Sequence, residues 1–317
     1  MKKLIVGTRG SKLAVRQSKI FIDRIKGIKP ELEIEIKEIR TKGDRILDKP
    51  LSEIGGKNIF IGEIEKALLN GEIDLAIHSL KDMPAEIDSR FTLACYPPRE
   101  DARDVFISRE GIDLPQLPEG SILGSGSLRR QIQIIHNWPT VTFENIRGNV
   151  DTRIEKMKKR ELSGLILAAA GLHRLGLEGL ITRYISPQKC VPPAGQGTLG
   201  IEVLCENDQL IEVLEELDDL ETRVVSYAER ACLAALGGDC HLPIGVYGRI
   251  EDSKLILDGF LAADDGSSYL REKIVENIGL NDYNEGRISR ISLERNSQKS
   301  GNKLASMILD KDGKEIL

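Results

Sequence analysis

A chain of 317 residues has room for two or three domains of about 100–150 residues each. At 40% hydrophobic and 30% charged it has the makeup of a soluble globular protein. Aromatics at 4% exclude extended stacking platforms for nucleic-acid bases, and a formal net charge of −5 argues against adhesion to polyanions. No apolar run reaches membrane-spanning length, and the one after Met1-Lys2-Lys3 is too short for a signal peptide. The expectation is therefore a cytoplasmic protein with no membrane or nucleic-acid partner. The five cysteines (95, 190, 205, 232 and 240) are odd in number and lack CxxC spacing, so neither a disulfide framework nor a metal site is expected.

Residues 4–7 read as a short buried strand, and Thr8-Arg9-Gly10-Ser11 as the turn into a helix with Leu13, Gln17, Phe21 and Ile25 on one face. Such a turn exposes backbone N–H groups at a helix N-terminus, which favours anions. Arg9 there is either a solvated loop arginine or an anion ligand. Residues 32–36 alternate as a half-exposed strand, and Thr41 to Asn58 form a long loop rich in Gly, Lys and Asp. A helix over 59–69 and a strand over 73–77 follow. At the strand's carboxyl end stands His78-Ser79-Leu80-Lys81-Asp82-Met83-Pro84, where open α/β sheets bind ligands. His78 fits a packed histidine better than a base.

From Pro97-Pro98 the chain passes to a second lobe, with strands over 105–108 and 121–124. Gly124-Ser125-Gly126-Ser127-Leu128-Arg129-Arg130 then opens a helix to about His136. Arginine stands where a dinucleotide fingerprint needs glycine, and two arginines in a first helical turn oppose the helix dipole, so anion binding is the better explanation. After a strand over 141–143 comes Asn145-Ile146-Arg147-Gly148-Asn149-Val150-Asp151-Thr152-Arg153. After a strand over 164–168 comes Ala169-Ala170-Gly171-Leu172-His173-Arg174. Parallel topology gathers these arginine-bearing junctions on one sheet edge, which predicts a ligand with several carboxylates or phosphates between the lobes. Residues 191–197 read as a hinge, and 199–204 as a strand returning to the first lobe.

A helix over 221–236 leads to Gly237-Gly238-Asp239-Cys240-His241-Leu242-Pro243-Ile244-Gly245. On its own this loop reads as an inert surface cysteine, although a thiol between glycines and a proline is also accessible enough for covalent attachment. Strands near 246–250, 254–263 and 268–278 and a helix over 298–310 suggest an antiparallel sheet with helices.

The ordered set of Gly7-Thr8-Arg9-Gly10-Ser11, His78 to Pro84, Ser127 to Arg130, Arg147 to Arg153, Ala168 to Gly176, Gly195-Gln196-Gly197, Glu229-Arg230 and the 238–245 loop resembles the porphobilinogen deaminase (hydroxymethylbilane synthase) family across nearly the whole chain. The resemblance implies two periplasmic-binding-protein-like α/β lobes and a third α+β domain with a three-stranded antiparallel sheet. The expected domains are 1–97 with 198–217, 98–197, and 218–317. It implies a transferase of haem and porphyrin biosynthesis that joins four porphobilinogens head to tail, with loss of ammonia, onto a dipyrromethane cofactor thioether-linked to Cys240. The released hydroxymethylbilane passes to uroporphyrinogen-III synthase, and the enzyme is expected to be a monomer.

By the same resemblance Asp82 is the catalytic residue. Ser79, Lys81, Ser127, Arg129, Arg130, Gly148 and Arg153 hold the cofactor; Arg9, Ser11, Arg147, Arg153, Arg174 and Gln196 bind substrate; and Lys57 belongs to a lid. Asn58, Gly62, Ser125-Gly126, Lys12 and Arg16 depart from the usual family pattern. The competing expectation is a non-catalytic two-lobe binding protein for a polycarboxylate or phosphorylated ligand.

Overall fold

The computed structural model of the chain describes residues 3–41, 61–238 and 242–316. The chain forms two compact units, Met1–Glu100 with Thr198–Arg223, and Asp101–Gly197 with Val224–Leu317. Strands β1 (Lys3–Arg9), β2 (Glu33–Ile39), β3 (Leu75–Ser79) and β4 (Phe91–Cys95) lie in the first unit. Strands β5 (Asp104–Ser108), β6 (Ser121–Gly124), β7 (Val141–Glu144), β8 (Gly164–Ala168) and β9 (Arg183–Ile185) lie in the second. Strand β10 (Leu199–Leu204) belongs to the first unit again, and β11 (Ile244–Glu251), β12 (Lys254–Ala262) and β13 (Tyr269–Glu276) to the second.

The two five-stranded sheets share one topology, β2-β1-β3-β10-β4 and β7-β6-β8-β5-β9. In each, the first three strands are parallel and the fourth runs antiparallel to its neighbours. That fourth strand is the one with which the chain enters the unit, β10 after residue 197 and β5 after residue 100. This is a periplasmic-binding-protein-like α/β lobe built twice. The antiparallel sheet β11-β12-β13 is separate from both, so the fold has the predicted composition.

Strand alternation sends successive side chains to opposite faces, and both faces are covered. In the first lobe Leu75 and Ile77 of β3 pack with Phe21 and Ile25 of α1 (Lys12–Ile28), whereas Ala76 packs with Ile64 and Leu68 of α2 (Gly62–Leu69). In the second lobe Val105 and Ile107 of β5 join one core and Phe106 the other. Close approach fixes glycine at position 164 of β8, where a Cβ would stand 2.3 Å from the Phe106 ring and 2.5 Å from the Ile107 carbonyl oxygen.

Several boundaries differ from expectation. Strands β4 and β9 had no separate forecast, and β3 starts and ends two residues later than the apolar run suggested. The last long helix starts at Arg290, not near 298. Its packing face includes Ser297, Ser300 and Gly301, so hydrophobic periodicity hides it. The two serines return their hydroxyls to the i−4 carbonyls of Leu293 and Asn296. At Gly301 an added Cβ would lie 2.1 Å from the Ala228 carbonyl oxygen, so that helix packs tightly against the one over Leu220–Ala235.

Candidate active site

In the first unit the predicted site residues gather where β1, β2 and β3 end together. Arg9 closes β1, and Ser11 caps α1, its Oγ accepting from the Ala14 amide at 3.2 Å. Ser79 closes β3 and shares a 2.9 Å hydrogen bond with Gln17 Nε2. A single 3-10 turn, Leu80–Asp82, follows. The Leu80 amide donates to the Thr198 carbonyl at 3.0 Å and the Met83 amide to the Leu80 carbonyl at 3.1 Å. Leu80 and Met83 are both buried, pinning the turn on either side, while Lys81 is half-buried and Asp82 exposed. Local sequence thus decides the presentation: two apolar anchors hold a polar dipeptide outward. His78 is buried with Nε2 3.0 Å from Glu202, a packed histidine as its neighbours suggested.

In the second unit β6, β7 and β8 are parallel, so their three junctions do share one edge. Ser127 precedes α3 (Leu128–Asn137), its amide donating to buried Ser125 Oγ at 3.2 Å. A Cβ on Gly126 would stand 2.9 Å from the Ile146 carbonyl, which explains a glycine in that departure from the family pattern. Gly148 has φ 115, a backbone state that favours glycine. Its carbonyl accepts from Arg153 Nε at 2.7 Å, and the Arg147 carbonyl accepts from Lys156 Nζ at 3.0 Å, so α4 (Val150–Lys159) shapes the loop that precedes it. Arg174, on α5 (Ala169–Leu175), donates to the Gly197 carbonyl at 2.6 Å.

Arg129 and Arg130 turn out to have a structural purpose that the helix-dipole argument failed to find. Both guanidiniums reach Asp104, which is fully buried at the start of β5. Gln196 donates to the same carboxylate at 2.9 Å and to the Ala102 carbonyl at 2.7 Å. Burial alone would raise the Asp104 pKa. The two guanidiniums, with hydrogen bonds from Arg130 and Gln196, outweigh it and hold the carboxyl well below its ordinary range. Nothing in the local sequence Asp101-Ala102-Arg103-Asp104 announced this residue, because its partners are supplied from 25 or more positions away.

The helix over Leu220–Ala235 ends in a left-handed glycine, Gly237 (φ 66), with the Gly237 amide bonded to the Ala234 carbonyl and the Gly238 amide to the Leu233 carbonyl. Beyond residue 241, Pro243 is buried, and a Cβ on Gly245 would lie 2.7 Å from the Val191 carbonyl. The described residues on either side of Cys240 are therefore pinned. Glu229, fully buried on the same helix, accepts from the Gly195 and Gly248 amides at 2.7 Å each, tying the 191–197 segment to β11. Cys240 and Lys57 lie outside the described residues. Of the other cysteines, 190 and 232 have thiols pushed up to about 12, first by burial and then by a neighbouring carboxylate, and burial raises Cys95 as well. Among the described residues, no group of three or more His, Cys, Asp or Glu is placed to hold a metal ion. No described helix is long and apolar enough to cross a membrane.

Comparison with known proteins adds the family. A family model described as porphobilinogen deaminase, dipyromethane cofactor binding domain, matches residues 4–212, and one for the porphobilinogen deaminase C-terminal domain matches 224–310. The porphobilinogen deaminase of Staphylococcus carnosus is 45% identical over 87% of this chain and 91% of its own length. That of Shouchella clausii is 47% identical over 86% and 88%. Among solved structures, an arginine-specific periplasmic binding protein of Salmonella typhimurium aligns with TM-score 0.40 at 15% identity, covering 68% of this chain and 92% of that one.

Proposed function

The chain belongs to the porphobilinogen deaminase family, and from that premise we propose that it is a transferase making hydroxymethylbilane. It joins four porphobilinogens head to tail with loss of ammonia, in tetrapyrrole biosynthesis. The observation that carries the reading is the ordered match of both family segments, 4–212 and 224–310, which also disfavours a non-catalytic binder. The fold is read as three domains, 1–97 with 198–217, 98–197, and 218–317. Three separate sheets support that division.

The donor set of the second unit fits a dipyrromethane, whose acetate and propionate groups call for cations and N–H donors. There, two guanidiniums share one buried carboxylate, and three arginine-bearing junctions share an edge. Ser127, Arg129, Arg130, Gly148 and Arg153, with Ser79 and Lys81 of the first unit, would hold it. Cys240 would tether it through a thioether. When bound, this group supplies the nucleophilic pyrrole carbon on which the chain grows. Arg9, Ser11, Arg147, Arg153, Arg174 and Gln196 bind the carboxylates of incoming substrate. Asp82 is exposed on an anchored turn, which leaves its carboxyl open to a substrate. Its carboxyl protonates the departing amine of porphobilinogen. The resulting carboxylate stabilises the cationic azafulvene through the pyrrole N–H and then removes the α-proton from the attacked pyrrole.

The enzyme acts as a cytoplasmic monomer without nucleic-acid or membrane partners, and its product goes to uroporphyrinogen-III synthase. The net charge of −5 supports the absence of a polyanionic partner. Intact mass tests the reading. After supply of porphobilinogen, the chain should carry an excess equal to two linked pyrroles, missing from Cys240→Ser. An unmodified wild-type mass under those conditions would favour the binding-protein alternative.

A further inference from the structure

Asp104 takes no part in the reaction above, yet it gathers three residues assigned to the anion site. It pairs with Ala168, the last residue of β8, and so stands on the sheet edge that carries the strand-to-helix junctions. One carboxylate oxygen accepts from Arg129 Nη2 at 2.7 Å. The other accepts from Arg130 Nη2 at 2.8 Å, Arg130 Nε at 3.0 Å and Gln196 Nε2 at 2.9 Å. All three partners are buried.

Charge inside a protein persists when it is paired. The described residues set one carboxylate against two guanidiniums here, leaving the cluster with excess positive charge. One arginine would suffice for a structural ion pair with Asp104, so the second leaves a positive charge that suits an anion. Arg130 Nη1 has a 3.4 Å contact with the Ile166 carbonyl, near the outer limit of a hydrogen bond, so this donor has the most left to offer. Arginine also carries large rotamer entropy, and fixing the side chain beforehand moves that cost from binding to folding.

We propose that Asp104 is a positioning residue, holding the Arg129 and Arg130 guanidiniums and the Gln196 amide in the planes that receive a pyrrole carboxylate. The inference rests on the proposed function and adds to it a residue that touches no ligand. The test compares Arg130→Gln with the double variant Asp104→Asn/Arg130→Gln. The double variant keeps the net charge that the cluster has in the unmodified chain and carries one positive charge more than Arg130→Gln; that charge favours an anion, so slower uptake by the double variant is not its electrostatic consequence.

Full chains prepared without primer receive porphobilinogen below the melting temperature of every variant, and primer uptake is followed as mass gain. The double variant is expected to take up primer at least fivefold more slowly than Arg130→Gln. Once primed, it should show a KM at least fivefold higher with kcat within twofold. Asp104→Asn alone should slow uptake tenfold or more per folded molecule; if that variant does not fold, the comparison on the Arg130→Gln background decides. Equal uptake and equal KM in the pair overturn the proposal, as does an effect confined to melting temperature. A chain that gains no mass even when unmodified overturns the proposed function and this inference with it. Uptake by the unmodified chain without a difference between the variants removes only the role of Asp104.

Discussion

The two lobes repeat one topology with different chemistry at the same edge. In the first, the entering strand β10 places Leu199 opposite Ser79 at the end of β3; in the second, β5 places Asp104 opposite Ala168 at the end of β8. With an apolar residue at that position, the first lobe carries its candidate acid on the Leu80–Asp82 turn, where Asp82 alone is exposed. The acidic position in the second lobe is sealed under two arginines. The aspartate proposed to exchange protons stands exposed, and the other is held ionised by its partners. The difference lies in burial and partners, since the side chains are identical.

Replacement of Asp82 by Asn gives the largest expected effect. Turnover should fall by about 10²–10⁴-fold, the usual range for a lost general acid–base, with the melting temperature unchanged; steady-state kinetics beside thermal unfolding measure both. Near-normal kcat would erase the distinction between the two aspartates. Asp104→Asn should instead destabilise, by about 3–5 kcal/mol near neutral pH, because it leaves buried guanidiniums unpaired. The folded-state pKa of Asp104 is depressed, so its stabilisation is present above the unfolded value of about 3.9 and is lost as pH falls below it. Urea midpoints should therefore separate the variant from the parent widely at pH 7 and less at pH 3, and a gap independent of pH would contradict the ion-pair account.

Gly164→Ala probes the second lobe away from its edge. The added methyl meets Phe106 and the Ile107 backbone, and overpacking of this kind costs about 1–3 kcal/mol. Calorimetry should record the loss, and KM should stay constant. Ser11→Ala removes a helix cap from the first lobe and should cost about 1 kcal/mol. A fall in porphobilinogen affinity beyond that would mark Ser11 as a ligand contact as well as a cap.

Much of this was legible in one dimension. Gly-Ser and Arg-Gly-Asn turns after short apolar runs located the strand-to-helix junctions, since few other residues tolerate those backbone states or close approaches. The Lys81-Asp82 pair between two apolar anchors was equally local. The exchange of β5 and β10, by contrast, depends on which sheet edge a returning strand meets, and isolated strands carry no record of that. The helix expected over 298–310 begins earlier, at Arg290, and its first turns escape the apolar pattern because their buried positions are only Leu293 and Ser297.

The sequence by itself determined the family, the order of the elements and the residue types available for anion and proton chemistry, all of which are properties of local pattern. Tertiary structure alone decided that Arg129 and Arg130 share Asp104 and that Glu229 ties the 191–197 segment to β11. A buried carboxylate is stable only beside partners, and folding brings those partners from distant parts of the chain.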